Sequence, residues 1–584
     1  MLKTLKMLKL TKRMSILSSL KQISLLSTSR EQMHYDVLAV GAGPAGLSAA
    51  IRLKQLALKH GKDISVCVIE KGSEVGAHIL SGNVFEPKAL DELLPDWRSI
   101  DPPFSTKATK DEFLILSENS SISVPHVFLP PQLNNEGNFI ISLSQLTRWL
   151  AAKAEELGVE IYPGFAADEV LYDTNGNVIG VATKDAGIAK DGTKKDTYTR
   201  GIELIAKQTM FSEGCRGSCS EEVIKKFDLR KGKDIQTYGL GIKEVWEVPE
   251  GSINPGYIQH TLGWPLQNSL FSDIFGGTFL YHMEPNLILV GMVVGLDYSN
   301  PYLNPYKEFQ RWKHHPSVSK HLKNGKCISY GARVLNEGGF HAIPKLTFPG
   351  GMLLGCSAGF LNSVKIKGTH TAMKSGMLAA DATYSEIVND ENINKPLEIM
   401  KYEKLVMSSW IADELKLIRN THASFHWGTL AGLIYTAFSC FISKGKEPWT
   451  LKNTVSDSDK TALASKCKSI SYPSNDGILS FDLLTNLQRS GTSHDHDQPS
   501  HLKIKENLST VPSTVSIVKY AGPEQRFCPA GVYEYTEKDK EGKQSLIINA
   551  QNCVHCKCCS IKMPKEYIKW GVPESGGGPS YTLM

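Results

Sequence analysis

The sequence has almost no net charge outside its N-terminal segment. Residues 1–33 hold seven basic residues and one acid, a net charge of +6, so the rest of the 584-residue chain, whose total is +5, carries only −1. A nearly neutral body lacks the basic surface that binds nucleic acid, so no nucleic-acid partner is expected. The 12 cysteines are too few for a disulfide scaffold in a chain of this length, which excludes the class of small disulfide-rich secreted proteins.

The N-terminal segment has no acid before Glu31 and no unbroken apolar stretch. A secretory signal peptide requires such a stretch, so its absence argues against secretion. Leucines and methionines are interleaved instead with lysines, serines and threonines, a composition typical of mitochondrial transit peptides. We predict that residues 1–33 are a transit peptide that is cleaved before His34. A basic tail without regular structure is the alternative.

A dinucleotide-binding pattern follows this segment. The apolar run 35–40 predicts a buried parallel strand, residues 47–58 a helix, and residues 64–69 a second strand that ends at the acid Glu70. The glycines of the intervening turn allow a tight bend, close approach of a pyrophosphate and close packing of the helix, whose N-terminus attracts phosphate. The turn consists of Gly41, Ala42, Gly43, Pro44, Ala45 and Gly46. An ordinary strand–turn–helix unit is the alternative, but it leaves Glu70 unexplained; that acid is placed to accept hydrogen bonds from a ribose.

The sequence lacks a second GxGxxG motif after a strand, so a separate NAD(P)H domain is not expected. Residues 348–360 instead predict a strand that closes into a turn containing Gly355. A helix follows within 365–381, and Gly368 and Thr369 mark its start. Its N-terminus could stabilise the negative charge of a reduced flavin ring. Because this second half-site is far from the first in sequence, the pattern favours FAD over NAD.

Two further stretches suggest contact with lipid. Residues 426–442 carry no formal charge, but their 17 positions lie at the lower limit of the ~17–25 residues that cross a bilayer. Basic and aromatic residues flank the stretch, as they flank interfacial helices. We predict a helix that lies in one membrane leaflet, in preference to a buried core helix, and least of all a full span. Residues 113–131 predict a hairpin whose apolar side chains form either a buried sheet edge or an exposed apolar surface.

Five cysteines lie in the last sixty residues. Cys553, Cys556 and Cys559 follow the spacing C-x₂-C-x₂-C, which binds three corners of a cubane iron–sulfur cluster. In two-cluster ferredoxins the run continues x₃-C-P, but Met563 stands at that cysteine position, so a second cluster lacks a ligand. Cys528, which is also followed by proline, can supply the fourth ligand of the first cluster. Four available cysteine ligands favour one [4Fe–4S] cluster.

Alternatives to this cluster exist in the same region. A zinc site with four cysteines is one, although zinc sites usually use two separated C-x₂-C pairs. Cys558 does not fit the three-residue spacing and is not expected to be a ligand. The run 494–497, His-Asp-His-Asp, could bind a metal, but short isolated runs of this kind usually do not. One FAD together with one cluster predicts a protein that converts between one-electron and two-electron transfer, and the apolar surface indicates a quinone as the two-electron partner.

The sequence resembles the electron-transfer flavoprotein:ubiquinone oxidoreductase family of the mitochondrial inner membrane from about His34 to Met584. Besides GAGPAG, the motifs that carry the resemblance are FGGTFLYH (275–282), KIKGTHTAMKSGM (365–377), HWG…EPWTLK (426–452), HDQPSHL (496–502), RFCPAGVYEY (526–535) and NAQNCVHCK (549–557). The resemblance implies an electron-transferring-flavoprotein dehydrogenase on the matrix side. Reduced electron-transfer flavoprotein would be its donor and ubiquinone its acceptor, and it would need no catalytic nucleophile or general acid.

The resemblance also implies a set of site residues. Those for FAD are Gly41 to Gly46, Glu70, Gly355, Asn362, Gly368 and Thr369; those for the cluster are Cys528, Cys553, Cys556 and Cys559, with Tyr533 beside it; those for ubiquinone are Gly276 and Gly277. The 113–131 hairpin and the 427–449 helix would form a monotopic membrane surface. Cys558 stands where family members carry threonine, and Ser560 and Met563 replace acids that often follow the last ligand.

The expected architecture is mixed α/β. We predict a discontinuous FAD-binding Rossmann-like domain of the glutathione-reductase type (34–105, 148–260 and 336–425) and an interleaved β-rich ubiquinone domain (106–147 and 261–335). A membrane-surface helix (426–451) and a ferredoxin-like [4Fe–4S] domain (452–584) follow. Two rival functions are an FAD-dependent reductase or monooxygenase of the geranylgeranyl-reductase type, which needs no cluster, and a flavo-ferredoxin electron carrier, which binds no quinone.

Overall fold

The computed structural model describes residues 30–269, 271–388 and 396–584, so the predicted transit peptide lies outside the described residues up to residue 29. The strands are β1 (Gln32–Val40), β2 (Val66–Glu70), β3 (Val84–Phe85), β4 (Lys110–Leu116), β5 (Ser121–Ser123), β6 (Phe139–Ile140), β7 (Glu160–Pro163), β8 (Ala167–Tyr172), β9 (Val178–Thr183), β10 (Ala186–Ile188), β11 (Lys194–Thr199), β12 (Glu203–Phe211), β13 (Tyr238–Glu247), β14 (Tyr257–Gly263), β15 (Gly276–Met283), β16 (Leu287–Gly295), β17 (Lys326–Asn336), β18 (Thr347–Phe348), β19 (Gly351–Leu353), β20 (Leu502–Ile504), β21 (Tyr533–Tyr535), β22 (Leu546–Ile548) and β23 (Ile568–Trp570). The helices are α1 (Pro44–His60), α2 (Lys88–Leu93), α3 (Leu143–Glu156), α4 (Ser218–Lys226), α5 (Pro305–Lys313), α6 (Pro316–Leu322), α7 (Thr369–Ile387), α8 (Lys401–Met407), α9 (Trp410–Leu417), α10 (Thr421–Ser424), α11 (Thr429–Ala437), α12 (Leu483–Gln488), α13 (Ile517–Tyr520), α14 (Glu524–Phe527) and α15 (Cys559–Lys562).

The first sheet is built around β1, whose last six residues are apolar apart from Asp36. Strand β1 pairs in parallel with β2 and β12, β2 with β7, and β12 with β19, while β8, β9 and β18 add antiparallel pairs. Helices α1 and α7 pack closely where Gly376 meets Ala45. A Cβ atom at Gly376 would lie only 2.2 Å from the carbonyl oxygen of Ala45, so the absence of a side chain at Gly376 permits this approach. The predicted strand–helix–strand unit is therefore present, and this domain has the Rossmann-like fold expected for FAD binding.

The second sheet has the strand order β17-β13-β16-β15-β14-β4-β5. All of its pairs are antiparallel except that between β14 and β4. Strand β13 pairs with β16 and β17, and β14 pairs with β15 and β4. Residues 238–260, assigned from the sequence to the FAD-binding domain, therefore belong to the second sheet, with the residues predicted to form the ubiquinone domain. In the reverse sense, α3 spans the predicted boundary at 147/148 and packs against α1 of the first domain.

The C-terminal region consists of short helices and two two-stranded sheets, β20–β23 and β21–β22. It shares one apolar core with the second sheet. Hydrogen bonds join the two: the Tyr330 hydroxyl donates to the carbonyl oxygen of Pro529 at 2.6 Å, and the N–H of Val334 donates to the carbonyl oxygen of Cys556 at 3.1 Å. Strand β17, which carries both residues, therefore holds the cysteine-rich loop in place.

The two stretches with predicted lipid contact are partly as expected. The predicted helix is present as α11. A π-helical turn, Phe438–Ser443, extends it, and the helix ends at Lys444, which adopts a left-handed conformation. The 113–131 segment forms only a short hairpin, β4–β5, and residues 126–128 make a 3₁₀ turn between prolines in place of a second long strand. Within the described ranges, no helix is long and apolar enough to cross a membrane.

Candidate active site

One cavity of about 590 Å³ connects the first domain to an exposed apolar surface. At one end it is lined by Gly41, Gly43 and Glu70, which belong to the turn after β1 and the end of β2. At the other end it is lined by Phe128, after the β4–β5 hairpin, and Leu433, in α11. The predicted flavin residues and the predicted membrane residues thus lie on the same cavity.

The three glycines of the first turn have the local geometries that their predicted roles require. Gly41 has a φ of +106°, and a Cβ atom there would lie 2.7 Å from the carbonyl oxygen of Ser212. A Cβ atom at Gly46 would lie 2.3 Å from the carbonyl oxygen of Gly41. At Gly43 the nearest atom is 4.0 Å away, so its backbone faces open cavity and leaves room for a pyrophosphate.

Glu70 and the start of α7 complete the flavin end of the cavity. The Glu70 carboxylate accepts hydrogen bonds from the N–H groups of Ala42, at 3.2 Å, and Gly72, at 2.9 Å, and so stands at the edge of the cavity. Gly368 and Thr369 line the cavity at the N-terminus of α7. This combination of a glycine cradle, an acid and a second helix N-terminus fits FAD.

Four of the predicted flavin residues do not line this cavity: Ala42, Gly46, Gly355 and Asn362. Gly355, with a φ of +58°, packs against α1, where a Cβ atom would lie 2.9 Å from the Cβ atom of Ala45. The Asn362 side chain is buried and donates from Nδ2 to Glu414 at 3.0 Å. Its neighbours Leu361, Ser363 and Val364 line the cavity instead. Gly355 and Asn362 shape the flavin end of the cavity through the turns they hold.

Gly276 and Gly277, the predicted quinone residues, line the middle of the cavity at the start of β15. Gly276 has a φ of +143°, and a Cβ atom there would lie 2.2 Å from the carbonyl oxygen of Val293. At Gly277 the corresponding distance to the carbonyl oxygen of Thr261 is 2.8 Å. Side chains at these positions would displace the backbone of the neighbouring strands, so the glycines keep the sheet closed while presenting bare backbone to the cavity.

An exposed apolar surface surrounds the outer mouth of the cavity, and we call it the apolar rim. Its members come from the β4–β5 hairpin and the turn after it, from the loop before β15, and from α11 with the turns on either side of it. More than half of each residue is exposed: Ile122, Val127, Phe128, Phe271, Trp427, Ile434 and Ile442. The three segments adjoin one another, since the N–H of Thr429 donates to Ser272 at 2.9 Å while Phe128 and Leu433 line the same cavity. Isolated apolar residues are common on surfaces, but a patch at the mouth of a cavity marks an interaction site.

A second, small cavity lies inside the C-terminal region. It is lined by all five clustered cysteines, Cys528, Cys553, Cys556, Cys558 and Cys559, and by Tyr533, whose buried hydroxyl has no hydrogen-bond partner. His555 and Lys557 have positive φ values of 57° and 72°, which curl the loop around the cavity. A buried set of convergent thiols on this spacing fits an iron–sulfur cluster. The lining alone does not separate Cys558 from the four predicted ligands.

The two cavities share a wall. Lys557 and Trp570 line both of them, and the Lys557 ammonium nitrogen lies 3.2 Å from the centroid of the Trp570 ring. One layer of side chains therefore separates the predicted flavin and cluster sites. This proximity could not be inferred from the sequence, because it depends on the packing of the C-terminal region against the first domain.

A group of buried histidines lies beside this wall and was not predicted from the sequence. His78, His494, His501 and His555 lie with ring centroids 5.0–5.7 Å apart in four pairs. The run 494–497, considered above as a metal site, does not converge: His494 faces inward to the carbonyl oxygen of Cys553, whereas Asp495 pairs with Lys195 near the surface. The only sequence signal for the group was the clustering of histidines in residues 494–501.

Comparison with known protein families gives a consistent result. Residues 238–335 match a family model described as ETF-QO, ubiquinone-binding, which agrees with the start of the second sheet at Tyr238. Residues 477–582 match a model described as electron transfer flavoprotein-ubiquinone oxidoreductase, 4Fe-4S. Residues 40–95 match an NAD(P)-binding Rossmann-like domain.

Relatives with curated names cover nearly the whole chain. The chain is 55% identical over 557 residues to "Electron transfer flavoprotein-ubiquinone oxidoreductase, mitochondrial" of Arabidopsis thaliana, covering 95% of this chain and 85% of the relative. The protein of the same name from Homo sapiens is 52% identical, covering 94% of this chain and 89% of the relative. A solved structure of a geranylgeranyl bacteriochlorophyll reductase-like protein from Thermoplasma acidophilum has a TM-score of 0.50 at 20% identity over 71% of this chain and 98% of its own, and this likeness concerns the fold alone. The chain belongs to the electron transfer flavoprotein-ubiquinone oxidoreductase family.

Proposed function

We propose that ubiquinone enters the protein from the membrane through the apolar rim and is reduced beside Gly276 and Gly277. The protein is an oxidoreductase (EC 1.5.5.1) that accepts electrons from reduced electron-transfer flavoprotein and passes them through a [4Fe–4S] cluster and FAD to ubiquinone. The observation that carries the proposed route is the continuous cavity from the glycine turn after β1 to the exposed rim. An apolar quinone tail suits the apolar outer part of this cavity, and the flat head group suits the bare backbone of the two glycines.

The residues proposed to hold FAD are those of the glycine turn, 41–46, together with Glu70, Gly368 and Thr369. The turn and the N-terminus of α1 would bind the pyrophosphate, and Glu70 would bind the ribose. The N-terminus of α7 would stabilise negative charge on the reduced ring. When bound, FAD exchanges one or two electrons, whereas the cluster exchanges one at a time. Gly355 and Asn362 are proposed to support this site by positioning its turns.

The proposed ligands of the cluster are Cys528, Cys553, Cys556 and Cys559. They fulfil the spacing C-x₂-C-x₂-C plus one remote cysteine followed by proline, and all four are buried around the small cavity. The partnerless hydroxyl of Tyr533 on the same cavity is proposed to donate a hydrogen bond to the cluster. The protein's role is to enclose the cluster, to exclude water and to set the distance to the flavin site across Lys557 and Trp570.

The replacement of threonine by cysteine at position 558 is expected to change the cluster potential. Cys558 is buried on the cluster cavity, and a thiol is a weaker hydrogen-bond donor than a hydroxyl. A Cys558→Thr variant should therefore have a higher midpoint potential, by about 20–60 mV if the added bond contributes ~0.5–1.5 kcal/mol to the one-electron reduced form. A redox titration followed by EPR spectroscopy measures this shift. An unchanged potential would show that position 558 does not donate to the cluster.

The proposed location is the matrix side of the mitochondrial inner membrane, with the apolar rim in the lipid surface. The relatives carry the word mitochondrial in their names. The rim exposes seven large apolar side chains around the mouth of the cavity, and burying each in lipid would contribute about 1.5–3 kcal/mol. Lys444 and Lys446, directly after the helical segment, suit the phosphate region of a leaflet.

Charged residues in the rim should release the protein from lipid. We expect the double variant Val127→Asp/Ile442→Asp to lower the affinity for phospholipid vesicles about 100-fold or more, because two apolar contacts worth ~1.5–3 kcal/mol each are lost. Flotation with vesicles of phosphatidylcholine and cardiolipin measures the bound fraction. The control is Ile478→Asp/Val518→Asp, which changes two residues of the C-terminal region that are 72% and 69% exposed. If the two double variants bind vesicles equally, the apolar rim is not the membrane-binding surface.

The test of the proposed function is anaerobic turnover with defined partners. Purified protein that contains FAD, four irons and four sulfides per chain should reduce a water-soluble ubiquinone analogue when it is supplied with chemically reduced electron-transfer flavoprotein. The rival reductase or monooxygenase function predicts no iron or sulfide, and the rival carrier function predicts electron uptake without quinone reduction.

A further inference from the structure

A buried carboxyl group borders the quinone end of the large cavity. Glu337 lines the cavity and is 3% exposed. Its Oε1 atom lies 2.6 Å from the position of a Cβ atom at Gly239, next to Val293, and Val293 is the strand partner of Gly277. Its Oε2 atom is buried and has no hydrogen-bond partner. A buried polar atom without a partner requires an explanation, and a catalytic role is one of those recognised for such atoms beside a cavity.

Glu337 is the inner end of a row of ionisable side chains that reaches the surface. Its Oε2 atom lies 3.9 Å from Nε2 of His422, which is also buried and without a partner. The rings of His422 and His426 are 5.9 Å apart, and Nε2 of His426 lies 3.1 Å from Oδ2 of the buried Asp297. His426 has a side chain that is 31% exposed, so the row begins at solvent.

We propose that Glu337, His422, Asp297 and His426 form a relay that delivers protons from solvent to ubiquinone during its reduction. The four residues come from three distant segments, with His422 and His426 one helical turn apart, and nothing in the electron route requires them. Reduction of the quinone takes two electrons, which electron-transfer flavoprotein supplies through the cofactors, and two protons, one on each quinone oxygen. Glu337 gives a carboxyl proton to the nearer oxygen, and His422 then returns a proton that enters from solvent at His426 and Asp297. The proton on the other oxygen comes from water that enters the cavity. The inference rests on the proposed placement of ubiquinone at Gly276 and Gly277.

The charges around the relay suit this task. Burial raises the pKa of the Glu337 carboxyl well above its usual range, and the carboxylates of Asp297 and Asp457 raise it further, which favours the protonated form that a proton donor needs. Burial lowers the pKa of His422 to about 4, which leaves a neutral ring that can take a proton on one nitrogen and release one from the other. Thr237 contacts Nδ1 of His422 at 3.0 Å and fixes the ring. The ammonium group of Lys460 lies 2.9 Å from Oδ2 of Asp297 and 2.5 Å from Nε2 of His426, so it joins the outer pair of the relay. Lys562, the remaining cation near Asp457, contacts backbone carbonyl oxygens.

A second candidate at the same cavity is less suitable as a donor. His260 lines the cavity, but its Nε2 atom faces the Tyr281 hydroxyl at 2.8 Å and its Nδ1 atom faces Asp111 at 4.0 Å. Burial lowers the pKa of His260 to about 3. A neutral histidine that is already engaged on both sides is a poor proton donor, whereas the raised pKa of Glu337 favours a carboxyl group that carries a proton.

The experiment compares two acceptors in the holoenzyme carrying Glu337→Gln. The amide has the shape and charge of the protonated acid, so folding and cofactor content should be retained. We expect reduction of a soluble ubiquinone analogue by reduced electron-transfer flavoprotein to fall about 100-fold, the lower end of the ~10²–10⁴-fold contribution of a positioned acid. Reduction of ferricyanide, which takes electrons but no proton, should proceed at the wild-type rate in this variant. In the wild type, quinone reduction should show a solvent deuterium isotope effect, and ferricyanide reduction should show none. Glu308→Gln, an amide exchange at another buried carboxyl group, is the control.

A second variant keeps the test independent of the buried site. His426→Gln alters the exposed end of the relay, and its loss of quinone reduction should be restored by added imidazole; His496→Gln, at a fully exposed histidine, is the matched control. Equal quinone reduction by wild type and Glu337→Gln, or a parallel loss with both acceptors, would overturn the relay. A wild-type holoenzyme that reduces ferricyanide but not the quinone would overturn the proposed function and the relay with it.

Discussion

Replacing Cys556 by alanine is expected to remove the [4Fe–4S] cluster and to leave FAD in place. Cys556 is the middle cysteine of the C-x₂-C-x₂-C run, and its carbonyl oxygen is fixed by the N–H of Val334 in β17. With three ligands the cluster loses its fourth corner and is exposed to hydrolysis and oxidation, so iron and sulfide should fall from about four to near zero per chain. FAD should remain because its proposed contacts lie on the first domain. Quinone reduction by electron-transfer flavoprotein should fall below 1% of the wild-type rate.

Cys558→Ala is the matched control for this variant. Cys558 is also buried and lines the same cavity, so the lining does not distinguish it from the proposed ligands. The spacing does distinguish it, and the variant should keep four irons and most of its activity. Colorimetric iron and sulfide assays with the EPR signal of the reduced protein decide the matter. A Cys558→Ala protein without a cluster, or a Cys556→Ala protein that retains one, would reassign the ligand set.

Valine at position 46 is expected to abolish FAD binding. A Cβ atom there would lie 2.3 Å from the carbonyl oxygen of Gly41 and 2.6 Å from Oγ of Ser212. Because the closer atom is backbone, a side-chain rotation cannot relieve the contact, and the turn must open. Overpacking costs of ~1–3 kcal/mol are typical even where side chains can yield, so a larger loss of stability is expected here. FAD released from the purified protein and measured by absorbance should fall below a tenth of one equivalent.

Gly61→Asn serves as the control for the glycine substitution. Gly61 ends α1 with a φ of +68° and has no other atom within 4 Å of a Cβ atom. Asparagine tolerates this left-handed conformation, so the variant should keep its FAD and its thermal stability. A Gly46→Val protein that purifies with a full equivalent of FAD would contradict the packing role of Gly46.

Features that depend on local sequence were predictable here. The strand–turn–helix–strand unit of residues 35–70 forms as expected because each element is specified by its own periodicity and glycine spacing. The cysteine spacing predicted a convergent buried set of thiols, which the small cavity displays.

Features that depend on contacts between distant segments were not predictable. Residues 238–260 join the second sheet because β13 pairs with β16 and β17, which follow it by about 50 and 90 residues. The orientation of Asn362 toward Glu414, away from the cavity, depends on the packing of α9. The proposed relay brings together residues 297, 337, 422 and 426, of which only His426 lies in a motif named above, and no motif relates the four to one another. These arrangements follow from tertiary packing, for which a single sequence carries no local signal.

The central claim is that electron-transfer flavoprotein reduces both redox centres of this chain and that the electrons are then transferred to ubiquinone. The most direct measurement mixes the wild-type holoenzyme anaerobically with reduced electron-transfer flavoprotein, recording the flavin absorbance and the low-temperature EPR signal of the reduced cluster, and then adds a soluble ubiquinone analogue. The account predicts that both signals change to the reduced state and return to the oxidised state when the analogue is added, with quinol formed in proportion. Centres that become reduced but are not reoxidised by the analogue would contradict it.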